Sequence, residues 1–205
     1  MDDRCLLFFI KNPKKGQVKT RLASAIGDEA AVRLYKRFLL EMLFTLNKGT
    51  FIFYLCVYPV DALEDLKTWL GEDYLYMLQQ GENLGERMKN AFTEALAMNF
   101  KRVVLIGSDI PSLPLKFIEE AFISLEKKDV VIGPSMDGGY YLIGFRDNKF
   151  SPRAFKGIPW STERVFGETM KVLGEEGLTV HTLKTLSDID TVQDLKNHWR
   201  RSTHS

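Results

Sequence analysis

Along this chain, short unbroken apolar runs alternate with stretches in which apolar residues return every three or four positions. Leu6 to Ile10 is the first unbroken run and reads as a strand buried on both faces. A loop rich in Lys, Pro and Gly follows, from Lys11 to Gly16. Helical spacing then begins near Asp28, a natural N-cap, with Tyr35, Phe38, Leu39, Met42 and Leu46 on one stripe and Gly49 as the stop. Phe51 to Tyr58 reads as the second strand, Asp61 to Leu70 as a short helix and Tyr74 to Gln79 as a third strand. Asn83 with Glu86 three residues on has the form of a capping box for a helix reaching Met98. Further strands are expected at Arg102 to Gly107, Val130 to Ile132, Tyr140 to Phe145 and Leu178 to Leu183. Helices are expected at Leu115 to Lys128, Glu163 to Glu176 and Thr191 to Arg200. Strand and helix in alternation predict an α/β layered fold around a mostly parallel sheet. In such sheets ligands bind beyond the carboxyl ends of the strands, so the residues that follow each strand carry the functional question.

Composition narrows the classes. The chain has 205 residues, 45% apolar and 27% charged, which fits one globular domain over residues 1–201 with residues 202–205 as a frayed tail. A net charge of +1 gives no bulk attraction to nucleic acid or to acidic membranes. Cys5 and Cys56 each lie inside an apolar run and read as buried thiols of a reducing compartment. The six apolar residues from Cys5 to Ile10 are too few for a signal-peptide core or a membrane span, so a cytoplasmic location is expected. A homodimer is the base-rate expectation for assembly.

Four constellations can carry chemistry. Lys11-Asn12-Pro13-Lys14-Lys15-Gly16 and Lys19-Thr20-Arg21-Leu22 follow the first strand, and their cations can hold phosphate oxygens; Arg21 offers a planar fork. The spacing is not that of a Walker A loop, and a solvated basic loop is the plain alternative. Ser108 and Asp109, directly after a buried strand, stand where a metal-bound diphosphate needs a carboxylate; a turn or cap is the alternative. Asp137-Gly138-Gly139-Tyr140 permits close backbone approach to a ligand, with Asp137 to bind a hydroxyl or take a proton, and it is equally a hairpin turn. Asp188-Ile189-Asp190-Thr191 provides either an N-cap at Asp190, boxed with Gln193, or a second metal carboxylate. Two more stretches contribute Gln80, Gly85 and Arg87 for a base or ribose, and Trp160, Ser161 and Thr162 as an aromatic lid before a helix. The three histidines form no metal-like pair, and a Gly-x-Ser-x-Gly elbow is missing, which disfavours a Ser-His-Asp hydrolase.

As an ordered set these motifs resemble a bacterial family of glycosyltransferase-like proteins, some of them glycosyltransferases of arsenosugar biosynthesis. The resemblance runs through Lys19 to Leu22, Asn83 to Met88, Ile106 to Pro111, Gly133 to Gly144, Trp160 to Thr162 and Asp188 to Thr191. It implies the nucleotide-diphospho-sugar transferase fold, a GT-A-like, Rossmann-like three-layer α/β/α sandwich. It further implies that Asp109 matches the aspartate that holds the metal on the diphosphate. The usual Asp-x-Asp signature is incomplete, with Gly107 in its first position and Ser108 in its middle. Lys19 to Leu22 also looks like the phosphate-binding segment of nucleotidyltransferases such as 2-phospholactate guanylyltransferase. Asp188 to Thr191 is similar to a late motif of sugar-activating cytidylyltransferases, in which Asp190 matches a metal ligand.

The reading that results is a transferase dependent on Mg²⁺ or Mn²⁺, with a nucleotide or nucleotide-sugar and a small-molecule acceptor as partners. The metal falls to Asp109 and Asp190, phosphate and nucleotide to Lys11, Lys15, Lys19, Arg21, Gln80, Gly85, Arg87 and Ser108. Asp109, Asp137 and Lys19 form the catalytic set, and Asp137, Gly138, Gly139, Tyr140, Trp160, Ser161 and Thr162 meet the substrate. Nucleotidyl transfer with pyrophosphate release is the runner-up, and a nucleotide-binding module without catalysis stands third.

Overall fold

In the computed structural model, which describes residues 3–111 and 113–196, the first apolar run is β1 (Arg4–Lys11), an interior strand, third in order across a seven-stranded sheet. The other strands are β2 (Ile52–Tyr58), β3 (Leu75–Leu78), β4 (Arg102–Ile106), β5 (Val130–Pro134), β6 (Tyr140–Arg146) and β7 (Val180–Thr182), in the spatial order β3-β2-β1-β4-β6-β5-β7. All pairings among them are parallel except those made by β6, which runs against both β4 and β5.

β1 explains the layers. Leu6, Phe8 and Ile10 point to one face and pack with Tyr35, Leu39 and Met42 of α2 (Asp28–Leu46), Leu66 of α3 (Leu63–Leu70) and Phe122 of α5 (Leu115–Ser124). Cys5, Leu7 and Phe9 point to the other face, against Met88 and Phe92 of α4 (Leu84–Ala97) and Leu173 of α6 (Val165–Glu175). A strand covered on both faces needs an unbroken apolar run rather than alternation, which is what Leu6 to Ile10 supplies. The three-layer α/β/α sandwich with a mostly parallel sheet follows. Cys5 and Cys56 are both buried and free, and no helix among the described residues is long and apolar enough to cross a membrane.

Some local expectations need correction. Lys19 to Leu22 does not lie on a loop: Thr20 opens a short helix, α1 (Thr20–Ile26), with Lys19 at its N-cap in left-handed backbone. Seven residues are too few for periodicity to reveal a helix. Asp28 is the first residue of α2, and Gly27 precedes it as the cap. At the chain's far end the capping box is displaced by one residue. Asp194 accepts from the Thr191 backbone N–H and from its hydroxyl, while Thr191 Oγ1 accepts from the Asp194 N–H. Asp190, one residue before this box, directs its side-chain Oδ1 to Lys19 at 3.1 Å. The helix expected over Thr191 to Arg200 is described over 192–196; its remainder and the expected tail at 202–205 lie outside the described residues. Asn83 caps its helix as expected, its side chain accepting from the Glu86 N–H at 3.0 Å, but the return bond of the box falls one residue earlier, from the Glu82 N–H to the Glu86 carboxylate at 2.9 Å.

Candidate active site at the carboxyl edge of the sheet

Strand order reverses direction at β1, whose neighbours β2 and β4 lead away on opposite sides. A cleft of about 400 Å³ opens beyond the carboxyl ends at this point, a size that suits a small-molecule ligand. Lys11 reaches it from the end of β1, Gln79 from the end of β3, Ser108 and Asp109 from the end of β4. Ser135, Asp137 and Gly139 enter from the β5–β6 hairpin, and Asp188 and Asp190 from the segment after β7.

The centre is an ion triad drawn from three distant parts of the chain. Lys19 Nζ lies 2.5 Å from Asp109 Oδ1 and 3.1 Å from Asp190 Oδ1. The Lys19 side chain is 2% exposed, whereas Asp109 is 60% and Asp190 33% exposed. Burial alone would lower the lysine's pKa; the charges of Asp109 and Asp190 outweigh it and hold the ammonium above its ordinary range. The carboxylates do not depend on the lysine to meet, because the Ile189 N–H donates to the Asp109 carbonyl at 3.0 Å. Ile189 itself packs in a small apolar cluster with Leu22, Phe38 and Leu195. That cluster seats the segment bearing Asp190 against α1 and α2, and so next to Lys19.

Below the triad, Tyr35 of α2 ties two strand ends together. Its hydroxyl accepts from the Lys11 N–H at 3.0 Å and is 3.1 Å from Ser108 Oγ. Burial, ahead of any other cause, holds the phenol far above its ordinary pKa, so it remains a neutral hydrogen-bonding group. Asp188, half-buried in the cleft, is pushed up to about 6, first by burial and then by the neighbouring Asp137 and Asp190 charges. Asp137 accepts from Ser135 Oγ and, at 2.9 Å, from the Gly139 N–H. The hairpin turn and the cleft position therefore coexist in one residue. Across the cleft Tyr140 and Trp160 meet edge to face with centroids 6.3 Å apart. Of the three non-glycine residues with positive φ among those described, Lys19 and Ser161 both border this site.

The expected residues divide accordingly. Lys11, Arg87, Ser108, Asp109, Asp137, Gly139, Tyr140, Trp160, Ser161, Thr162 and Asp190 line the cleft, and Lys19 meets it through its contacts with Asp109 and Asp190. Arg87 holds its guanidinium 4.1 Å from the centre of the Tyr58 ring. Arg21 sits at the rim, 73% exposed and 3.9 Å from Asp190 Oδ2. Other residues lie elsewhere. Lys15 pairs with Glu29 at 2.7 Å on the outer surface, and Lys14 and Asn12 are both held by Asp65. Gln80 is exposed and offers its carbonyl to Asn90; its neighbour Gln79 is the one in the cleft, its amide nitrogen donating to the carbonyls of Ile10 and Cys56. Gly85 and Gly138 serve packing: a Cβ at Gly85 would fall 2.4 Å from the Phe155 carbonyl oxygen, and one at Gly138 2.1 Å from that of Glu163. Gln79, Tyr35 and Asp188 were missed. Asp188 had a signal in its alternation with Asp190; Tyr35 had none, since it sits on the apolar stripe of a helix.

The described residues contain no group of three or more His, Cys, Asp or Glu arranged to hold a metal ion. Two carboxylates do converge on one cationic point, and Mg²⁺ ordinarily takes one or two carboxylates with phosphate and water completing its shell. Asp109 and Asp190 fit that donor set.

Comparison with known proteins gives the family and the fold. The bacterial family described as "Uncharacterized protein conserved in bacteria (DUF2064)" matches residues 44–162. A crystal structure from Desulfovibrio desulfuricans G20, described as a candidate nucleotide-diphospho-sugar transferase, is 41% identical with a TM-score of 0.97, covering 100% of this chain and 90% of that one. The 4-diphosphocytidyl-2C-methyl-D-erythritol synthase of Anaerococcus prevotii shares the fold at 11% identity and TM-score 0.64, covering 98% and 99%. Rv0371c of Mycobacterium tuberculosis, crystallised as a complex with manganese, shares it at 14% identity and TM-score 0.52, covering 95% and 96%. The search of curated proteins gives no match.

Proposed function

The chain belongs to that DUF2064 family, and from this premise we propose that it is a metal-dependent transferase acting on a nucleotide-activated substrate, with a nucleotide-diphospho-sugar as donor. The observation that carries the reading is the convergence of Asp109 and Asp190 on one cationic point inside a cleft that also presents Lys11 and Arg87. The whole-length likeness to a candidate nucleotide-diphospho-sugar transferase supports it.

In this reading Asp109 and Asp190 hold Mg²⁺ or Mn²⁺. The metal supplies neutralisation of the diphosphate, which makes a nucleoside diphosphate a better leaving group. Lys11, Arg21 and Lys19 contribute cations from the β1–α1 segment to the phosphate oxygens. Arg87, resting on Tyr58, and the buried Gln79 face the nucleoside. Tyr140, Trp160, Ser161 and Thr162 form the wall that excludes water from the transferred group and its acceptor. Asp137, held by Ser135 and Gly139, orients the acceptor hydroxyl and accepts its proton.

A second reading, nucleotidyl transfer to a phosphorylated acceptor, is favoured by one feature. Five cations in eleven residues, Lys11, Lys14, Lys15, Lys19 and Arg21, suit pyrophosphate as a leaving group at least as well as a nucleoside diphosphate. Incubation with Mg²⁺ or Mn²⁺, nucleotide sugars, nucleoside triphosphates and a panel of acceptors separates the two. Acceptor-dependent release of nucleoside diphosphate supports glycosyl transfer, and release of pyrophosphate supports the second reading. Saturable binding without turnover would leave a nucleotide-binding module.

A further inference from the structure

The triad inverts the usual order of burial in an ion pair. Its cation is enclosed at 2% exposure while its two anions face the cleft. Lys19 supports this with left-handed backbone, φ 47° and ψ 45°, a conformation that is costly for a residue with a Cβ. The Ile189 to Asp109 backbone hydrogen bond and the Ile189–Leu22–Phe38–Leu195 cluster already bring the carboxylates together. The lysine is therefore not the clamp that assembles them. What it supplies is charge: two carboxylates forced together by the backbone repel, and one ammonium between them relieves that.

We propose that Lys19 is a tethered counter-ion that holds the divalent-cation position between Asp109 and Asp190, and that a metal ion must displace it to bind. This inference rests on the metal-dependent reading above and goes beyond it. A bare metal ion entering the site leaves an ammonium without its two partners in a buried position, so it binds weakly. A metal ion arriving with a polyphosphate brings the anion that the released ammonium needs. The site consequently takes the metal well only together with its nucleotide. In energetic terms the metal and the polyphosphate are coupled through one side chain, and each raises the other's affinity by the same factor. Arg21, 3.9 Å from Asp190 on the exposed side, is screened by solvent and imposes much less competition.

The test is a titration of the full chain with Mn²⁺ alone, free metal being read from its electron paramagnetic resonance signal. Lys19→Met and Lys19→Asn, the latter because asparagine tolerates left-handed backbone, are expected to bind Mn²⁺ about tenfold or more tightly than the unaltered protein. Lys19→Arg, which keeps the charge, is expected to bind as weakly as the unaltered protein. Asp190→Asn in the Lys19→Met background is expected to abolish the gain. Circular dichroism melting of each variant confirms that the folded protein is what is titrated. If both neutral variants bind Mn²⁺ no better than the unaltered protein while Asp190→Asn still weakens binding, the counter-ion role is overturned and the metal-dependent reading survives. If none of the proteins binds Mn²⁺ alone, the counter-ion role is overturned, and the same titration repeated with a nucleoside diphosphate present decides the metal-dependent reading by itself.

Discussion

Two clusters of carboxylate and cation lie at opposite ends of the sheet, and they are built in opposite senses. At the end away from the cleft, Asp129 precedes β5 and is 9% exposed. It accepts from Arg146 Nη2 at 2.7 Å, from the Thr179 N–H at 2.9 Å and from Thr179 Oγ1 at 2.8 Å. Its anion is inside, and its donors all come from the chain. At the cleft, the cation is inside and the anions look outward with oxygens to spare. A buried carboxylate saturated by its own protein is a structural joint, since adding a ligand would only break bonds. Carboxylates that share one enclosed ammonium and face a cavity have coordinating capacity left for something that is not protein. Distances alone do not separate the clusters, as both contain pairs near 2.5–2.7 Å; what separates them is the side of the ion pair that meets solvent.

The largest expected effect tests that distinction directly. Asp109→Asn should lower metal-dependent turnover about a hundredfold or more, the scale of removing one charge-stabilising group from a transition state. Its unfolding free energy should change by only about 1 kcal/mol, because Lys19 keeps Asp190 as a partner. Turnover and chemical denaturation measured on the same preparation decide it. A variant that loses stability and retains activity would make the cleft cluster a joint like the other.

Asp129→Ala is the reciprocal case. It leaves Arg146 and the Thr179 groups without their acceptor and should cost about 3 kcal/mol of stability, with the kcat of folded protein unchanged. The pH dependence follows from the same contacts. Burial by itself would raise the Asp129 pKa, but the Thr179 donors, with Lys149 and Arg146, outweigh it and hold the carboxyl below its ordinary range. A carboxyl depressed in the folded state contributes fully above its unfolded pKa, about 4, and the contribution is lost as pH falls through the folded value. The stability gap between the unaltered protein and Asp129→Asn should therefore be widest near neutrality and narrow below about pH 4. Urea melts at both pH values check it; a gap that widens in acid would contradict the assignment.

The same contrast explains what could be read from the residues in order. The sheet was legible because β1 and β4 are unbroken apolar runs, and a two-sided burial requirement writes itself into consecutive positions. Asp109 was legible because it follows such a run. The sequence marks Lys19 as a phosphate contact, but its burial between two carboxylates is not legible there, since the partners lie 90 and 171 residues away. Gln79 and Gln80 illustrate a different limit. Adjacent, identical residues at a strand end can be told apart only by which one's alternation faces the cleft, and the end of β3 could not be fixed to a single residue from sequence. Lys15 stands among the expected phosphate cations, and Lys14 beside it in the same basic run, because charge is visible in sequence, whereas their pairing with Glu29 and Asp65 is not.

Gly138→Ala probes how the two sides of the cleft are joined. The added Cβ would fall 2.1 Å from the Glu163 carbonyl oxygen, and the residue has φ 84°. The Gly138 carbonyl also accepts from the Phe166 N–H at 2.9 Å. Backbone cannot yield as a side-chain tip can, so the hairpin and the start of α6 must part. A loss of about 2 kcal/mol in stability is expected. Trp160 and Ser161 precede that helix start, so KM for the acceptor should rise more than kcat falls. Equal effects on both would argue that the hairpin orients the chemistry and not the acceptor alone.

The smallest expected effect is the sharpest on the boundary of the site. Lys15 lies in the basic segment after β1, among the expected phosphate cations, yet its ammonium pairs with Glu29, with both side chains more than 60% exposed. An exposed pair of this kind contributes little to stability, because solvent screens it. Lys15→Ala should leave both stability and the affinity for a nucleotide nearly unchanged, while Arg21→Ala, at the rim beside Asp190, should weaken nucleotide binding several-fold. If Lys15→Ala weakened nucleotide binding as much as Arg21→Ala, the segment from Lys11 to Gly16 would have to leave Glu29 and Asp65 and fold over the bound phosphates. The exposed pairs would then be the resting contacts of a moving loop, and the dividing line between structural and functional charge would depend on the ligand.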